Sequence, residues 1–143
     1  MALYSFGLRT TGSSLAAAEI YTADDRVSLL EFSFMGVFNS NPEFGIGRPV
    51  LPGAGRGTGA FQPDNPSDPP CTAFITGTWA SPPTSPLVFM RRGRLDNGAN
   101  SVGRGLVWTW KTGLIIPPQS SIVFWHTNPA VITTWDINVV IEA

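Results

Sequence analysis

The chain contains one histidine, His126, which is the first residue to consider for acid–base chemistry. A catalytic histidine needs a nucleophile and an orienting carboxylate within hydrogen-bond reach, and the sequence contains no G-x-S-x-G elbow to supply the nucleophile. One histidine with scattered carboxylates is also a weak set of metal ligands. We therefore expect His126 to be a strand-end residue hydrogen-bonded at the surface. We expect no enzymatic activity, no cofactor and no bound metal.

A glycine-rich segment, GAGRGTG at 53–59, superficially resembles a phosphate-binding loop. Such a loop needs a strand before it and a helix after it, because the amides at the helix N-terminus bind the phosphate. The segment that follows, AFQPDNPSDPP, is too rich in proline to form a helix. The segment therefore does not predict a nucleotide site.

Cations concentrate in one part of the chain. Five of the nine lie close together: Arg91, Arg92, Arg94, Arg104 and Lys111. Three interpretations fit this cluster: a sheet edge protected by charge, an ionic contact with an acidic partner, or a nucleic-acid contact. The formal net charge of −1 disfavours the last, because nucleic-acid-binding domains are usually strongly basic. We expect neither nucleic acid nor a membrane among the partners.

Alternation of apolar and polar residues dominates the pattern of the chain. In the last segment Trp135, Ile137, Val139 and Ile141 point one way, and the polar residues between them point the other. A period of two is typical of strands with one buried face. Similar signals predict strands at 3–9, 17–22, 28–38, 72–79, 87–95, 105–110, 113–116, 121–126 and 134–143. Residues 111–113 and 96–98 read as turns, and 13–25 contains the only helix signal, its second half reading as a strand.

Many short strands separated by glycine and proline predict an all-β protein. We predict a single jelly-roll or β-sandwich domain of about eight strands over residues 1–143. Trp108 and Trp110 lie two residues apart and therefore share a face of their strand. Two uses fit this pair: filling of the core between the sheets, or an exposed platform for stacking sugars or bases.

Residues 39–70 contain 13 glycines and prolines among 32 residues. Loops of this length are usually functional or disordered, but the apolar residues within this one favour burial. We predict an extended arm that docks on its own sheet or on a neighbour's. Deletion of 53–62 is expected to abolish binding to a larger assembly while leaving folding intact. The expected contact residues are Phe44, Arg48, Arg56 and Phe61 in the arm, with Arg91, Arg92 and Arg94 as ionic partners.

The charged fraction of 13% is about half the usual value for soluble domains. A chain with so few charges exposes apolar surface or covers it with other subunits, and the second interpretation is favoured because exposed apolar patches tend to mark interaction sites. The one cysteine, Cys71, excludes an intramolecular disulfide. The first residues lack the pattern of a signal peptide, and no apolar run has the length of a membrane span.

Three segments of the chain resemble small jelly-roll proteins encoded among the structural genes of tailed bacteriophages, cyanophages included. They are GIGRP (45–49), VWTWKTGLIIPPQSSIVFW (107–125) and WDINVVIEA (135–143), and the resemblance extends over about two-thirds of the chain. It implies a capsid cement or decoration protein: a homotrimer, made in the host cytoplasm, that binds the outer shell of the virion and clamps neighbouring major capsid subunits. The glycine-rich GAGRGTGAFQPDNP departs from that pattern. The alternative function is a carbohydrate- or receptor-binding β-sandwich of a phage fibre or tail.

Overall fold

The computed structural model describes residues 1–11, 16–37, 42–95, 103–127 and 134–143. Within these ranges the chain forms strands and loops without a helix. The strands are β1 (Leu3–Thr11), β2 (Ala16–Thr22), β3 (Val27–Val37), β4 (Glu43–Gly47), β5 (Gly59–Ala60), β6 (Gln62–Pro63), β7 (Ala73–Thr76), β8 (Arg91–Arg94), β9 (Gly103–Ile116), β10 (Ser121–His126) and β11 (Thr134–Glu142). The predicted turn at 96–98 lies outside the described residues.

The strands form two antiparallel sheets that pack face to face. The first sheet has the order β6-β1-β11-β3-β9, and the second has the order β5-β7-β2-β10-β4-β8. When β5, β6 and β7 are set aside, the orders are β1-β11-β3-β9 and β2-β10-β4-β8. This is the interleaved arrangement of an eight-stranded jelly roll. The predicted all-β jelly-roll class is confirmed. The predicted number of about eight strands corresponds to the eight strands of this framework.

Strands β5, β6 and β7 all belong to a 43-residue insertion, residues 48–90, between β4 and β8. Within it, β7 pairs with β2 and β6 pairs with β1, on the side of the sandwich opposite β8 and β9. The insertion therefore runs from one side of the molecule to the other and back. The described part of the predicted arm lies against its own domain, which is one of the two docking sites expected from the sequence, and its first part is the interior strand β4.

An aromatic cluster fills the space between the sheets. The ring of Phe34 lies 4.2 Å from that of Phe44, and Trp135 lies 4.7 Å from Phe44 and 5.4 Å from Phe124. Trp108 joins this cluster at 5.8 Å from Phe34, which confirms its interpretation as a core residue. The predicted inward face of the last strand is also confirmed, because its four apolar residues are almost completely buried.

Strand β9 is longer than the sequence predicts, because residues 111–113 do not turn the chain. Leu29 lies opposite Leu114 and Glu31 lies opposite Thr109, so four residues of β9 bulge out opposite one residue of β3. Gly113 absorbs the distortion with a φ of 78°, a conformation that side chains disfavour. The glycine read as a turn signal thus marks a bulge within a continuous edge strand.

Candidate interaction surface

Glu19 on β2 holds the insertion against the outer face of the second sheet. Its buried carboxylate accepts hydrogen bonds from Arg56 Nη2 at 2.9 Å, Trp79 Nε1 at 2.6 Å and the Gly53 amide at 3.3 Å. Gly53 and Arg56 lie on the outgoing limb of the insertion, residues 48–58, and Trp79 lies on the returning limb, residues 77–90. One carboxylate therefore fixes both limbs to the sheet.

The pKa of Glu19 reflects two opposing influences. Burial raises the pKa of this carboxyl, but the hydrogen bonds from Arg56 and Trp79 and the charge of Arg56 lower it further than burial raises it. The net effect is a pKa below the ordinary value, so that Glu19 is ionised at neutral pH. The guanidinium of Arg56 also stacks over Tyr21, 4.5 Å from its ring centroid.

A second apolar layer lies between the insertion and the sheet. Val123 and Trp125 on the outer face of β10 are buried by Trp79 and Phe89 of the insertion. The ring of Phe89 packs edge-on against Trp125 at 5.6 Å and also covers Gly45, where a Cβ atom would lie 2.5 Å from that ring. The insertion is thus packed against the sheet through both of its limbs.

The structure corrects the predicted roles of three arm residues. Phe44 and Phe61 are buried in the core of their own chain, with exposures of 0% and 3%, so neither offers surface to a neighbouring subunit. Arg56 is committed to Glu19. Deletion of 53–62 removes β5, Arg56 and Phe61 together, so we now expect that deletion to impair folding.

Two arginines protect the exposed edge of β9. Arg91 Nη1 donates to the Thr109 carbonyl oxygen at 3.1 Å, and Arg48 Nη2 donates to the Ile115 carbonyl oxygen at 2.9 Å. Arg91 also lies 4.5 Å above the ring of Trp110. Occupied carbonyl groups disfavour the addition of a further strand, so this edge is available for contacts by side chains. The sequence interpretation of a charge-protected edge agrees with this geometry.

Other cations lie on the same side of the sandwich. Arg92 and Arg94 are exposed on β8, Lys111 is exposed on β9, and Glu43 lies opposite Arg94 in the strand register. The two ion pairs among the described residues are Arg9–Asp136 and Arg56–Glu19, so these cations have no carboxylate partner there. We call the group the basic edge: Arg48, Arg91, Arg92, Arg94 and Lys111. The side chain of Arg104 lies outside the described part of the structure.

An exposed apolar surface adjoins the basic edge. Leu87 is 100% exposed and Val88 is 82% exposed, and both lie on the returning limb of the insertion. Val50 and Leu51 on the outgoing limb are joined to this limb by two 2.9 Å backbone hydrogen bonds with Thr84. We call this surface the apolar ridge: Val50, Leu51, Leu87, Val88 and Met90.

The sequence does not predict this ridge. It predicts burial of the apolar residues within 39–70, whereas Val50 and Leu51 are exposed, and it assigns 87–90 to a strand that begins only at Arg91. The prolines at 82, 83 and 86 are a signal against a strand that begins at 87, because proline cannot donate to a β-ladder and keeps residues 82–86 out of the sheet.

His126 and Cys71, the remaining groups with acid–base or nucleophilic chemistry, are buried and partly buried respectively. His126 is buried beside Trp135, at 4.9 Å between rings, and burial lowers its pKa. This corrects the prediction of a surface histidine, because β10 is an interior strand. Burial likewise raises the pKa of the Cys71 thiol. No group of three or more metal-ligating residues, and no helix able to cross a membrane, occurs in the described ranges.

The tryptophans leave no open platform. Trp108, Trp125 and Trp135 are buried. Trp79 and Trp110 are half-buried, the first bonded to Glu19 and the second covered by Arg91. A stacking site for sugars or bases requires an exposed ring face, so none of the five indoles favours the platform interpretation.

No family model and no curated protein matches the chain. The chain is similar to the solved coat protein of Tobacco streak virus at 11% identity over 94% of this chain and 84% of that one, with a TM-score of 0.32. A dimer of that coat protein gives 12% identity, coverages of 94% and 83%, and the same TM-score. A decameric BFDV capsid protein gives 13% identity, coverages of 98% and 95%, and a TM-score of 0.21. Similarity this low carries no functional argument, and the jelly-roll assignment rests on the strand order.

Proposed function

We propose that this protein is a structural component of a virion: a capsid cement or decoration homotrimer that binds the outer shell and stabilises neighbouring major capsid subunits. Its role is mechanical and not catalytic. The observation that carries the proposal is the apolar ridge, a surface of large side chains exposed to solvent on an insertion that packs against the sheet. Such surfaces are rare on monomeric soluble proteins and mark interaction sites.

The construction of the ridge supports binding to a large, preformed partner. The ridge lies on two limbs that Glu19 and the second apolar layer hold against the sheet. A surface that is already ordered loses little conformational freedom on binding, which favours affinity. The low charged fraction fits the same function, because surfaces covered in an assembly need few charges for solubility.

Co-sedimentation with virus particles tests the proposal. The parent protein should sediment with the particles, and Leu87→Asp/Val88→Asp should reduce the bound fraction by at least about tenfold, since burying an unpaired carboxylate in an apolar contact is costly. The matched control is Met35→Asp, which changes a 56% exposed methionine on the outer face of the first sheet. Equal binding by the ridge variant and the parent would contradict the proposed contact, and absence of parent binding would contradict the function.

A further inference from the structure

The side of the sandwich opposite the basic edge carries acidic groups. The segment around β6 lies along β1, where the Asp64 amide donates to the Leu3 carbonyl at 2.9 Å and the Ser5 hydroxyl donates to Asp64 Oδ1 at 2.7 Å. Asp25 Oδ2 accepts a 2.7 Å hydrogen bond from Thr72, at the end of the same segment. We call this region the acidic corner: Asp24, Asp25, Asp64 and Asp68, with Arg26 as the cation among them.

The two charged regions are well separated. In the first sheet β6 and β9 are the two edges, four strand spacings apart, which corresponds to about 19 Å. In the second sheet β8 and the β5–β7 pair are likewise at opposite edges. Screening at physiological ionic strength acts over about 8 Å, so each region presents its own charge. A formal net charge of −1 therefore conceals a cluster of cations at one edge of the sandwich and a cluster of aspartates at the other.

We propose that the basic edge of one copy binds the acidic corner of a second copy, so that subunits associate head to tail. The inference rests on the self-association in the proposed function and names the surfaces that mediate it. Complementary surfaces on opposite sides of one chain produce a heterologous contact, which closes into a ring when the rotation between subunits permits.

The hydrogen bonds at β9 favour a contact between copies that is made by side chains instead of by strand pairing. Arg48 and Arg91 occupy two of its edge carbonyl groups, so the neighbouring copy meets charged side chains and not an open strand edge. The acidic corner offers complementary groups among prolines at 63, 66, 69 and 70. An ionic contact of this kind gives specificity and fast association.

Charge reversal on each side tests the contact. One variant is Arg92→Glu/Arg94→Glu, a second is Asp64→Lys/Asp68→Lys, and a third combines all four changes. Light scattering of the purified proteins in about 0.1 M salt should show that each of the first two weakens self-association by about 100-fold, because like charges then face each other. The third should restore association to within about tenfold of the parent. Arg9→Glu/Asp136→Arg, which inverts an ion pair elsewhere on the surface, should have no effect.

Three results would overturn the inference. They are unchanged association of the first two variants, failure of the combined variant to recover, and self-association of the parent that does not weaken between 0.1 and 1 M salt. Recovery also excludes an acidic site on another protein as the partner of the basic edge, since that site would not change with this chain. Particle co-sedimentation is scored separately, so shell binding can persist or fail independently of this contact.

Discussion

At the scale of single residues, Glu19 has the clearest structural role. It is a fully buried carboxylate that joins two limbs of chain lying 34 to 60 positions away. Removing one partner of such a pair leaves the other desolvated without compensation, which costs more than the pair contributes when intact. The sequence presents Glu19 as an ordinary polar residue, so its importance follows only from the fold.

We predict that Glu19→Gln lowers the free energy of unfolding by about 2–3 kcal/mol, because Arg56 loses its counter-charge while half-buried. Urea denaturation measures the loss. The matched control is Asp136→Asn, which breaks an exposed ion pair and should cost less than about 1 kcal/mol. Equal effects of the two substitutions would show that Glu19 does not fix the insertion.

His126 gives a pH prediction at the same scale. Burial lowers its pKa in the folded chain, so below about pH 6.5 the unfolded chain binds a proton that the folded chain does not. Stability should therefore fall as the pH is lowered from 7.5 to 5.5. Denaturation of His126→Phe over the same range should show a flatter dependence. An identical slope in both proteins would place the titration elsewhere.

The lowered pKa of Glu19 makes stability depend on pH in a separate, more acidic range. Its contribution is fully present above about pH 4.3, the value in the unfolded chain, and is lost as pH falls through the lower folded value. Below pH 4.3 the parent should therefore lose stability faster than Glu19→Gln. Parallel denaturation curves from pH 5 to pH 3 would contradict this assignment.

At the scale of elements, strands with one buried face could be predicted because their alternation is local information. The last strand shows this well: its four inward residues were identified in the sequence and are buried in the structure. Strands β5 and β6 have two residues each, which is too short to show any period. Phe44 and Phe61 were identified as docking residues, but the sequence could not show that they dock within their own chain.

The position of the returning limb depends on a glycine in β4. We predict that Gly45→Ala displaces Phe89, because the added Cβ atom would lie 2.5 Å from its ring, and overpacking of this kind costs about 1–3 kcal/mol. Limited proteolysis should then cleave residues 77–90 faster than in the parent. Gly7→Ala is the control, since its Cβ atom would meet only the Asn138 side chain, at 3.3 Å. Equal cleavage of both variants would show that Phe89 does not hold this limb.

At the scale of the whole molecule, the low charged fraction and the position of the charges have one explanation. Five cations lie at the basic edge, four aspartates lie at the acidic corner, and large apolar side chains remain exposed on the insertion. The composition predicts that surface must be covered, but it cannot predict which surface, because residues 48–51 and 84–90 meet only in the folded chain. We propose that association in an assembly covers the ridge and pairs the charges.

The molecular mass of the purified protein in solution tests this account most directly. Light scattering at micromolar concentration and about 0.1 M salt should give three times the mass of the chain. A mass equal to that of one chain, maintained as the concentration is raised, would contradict self-association.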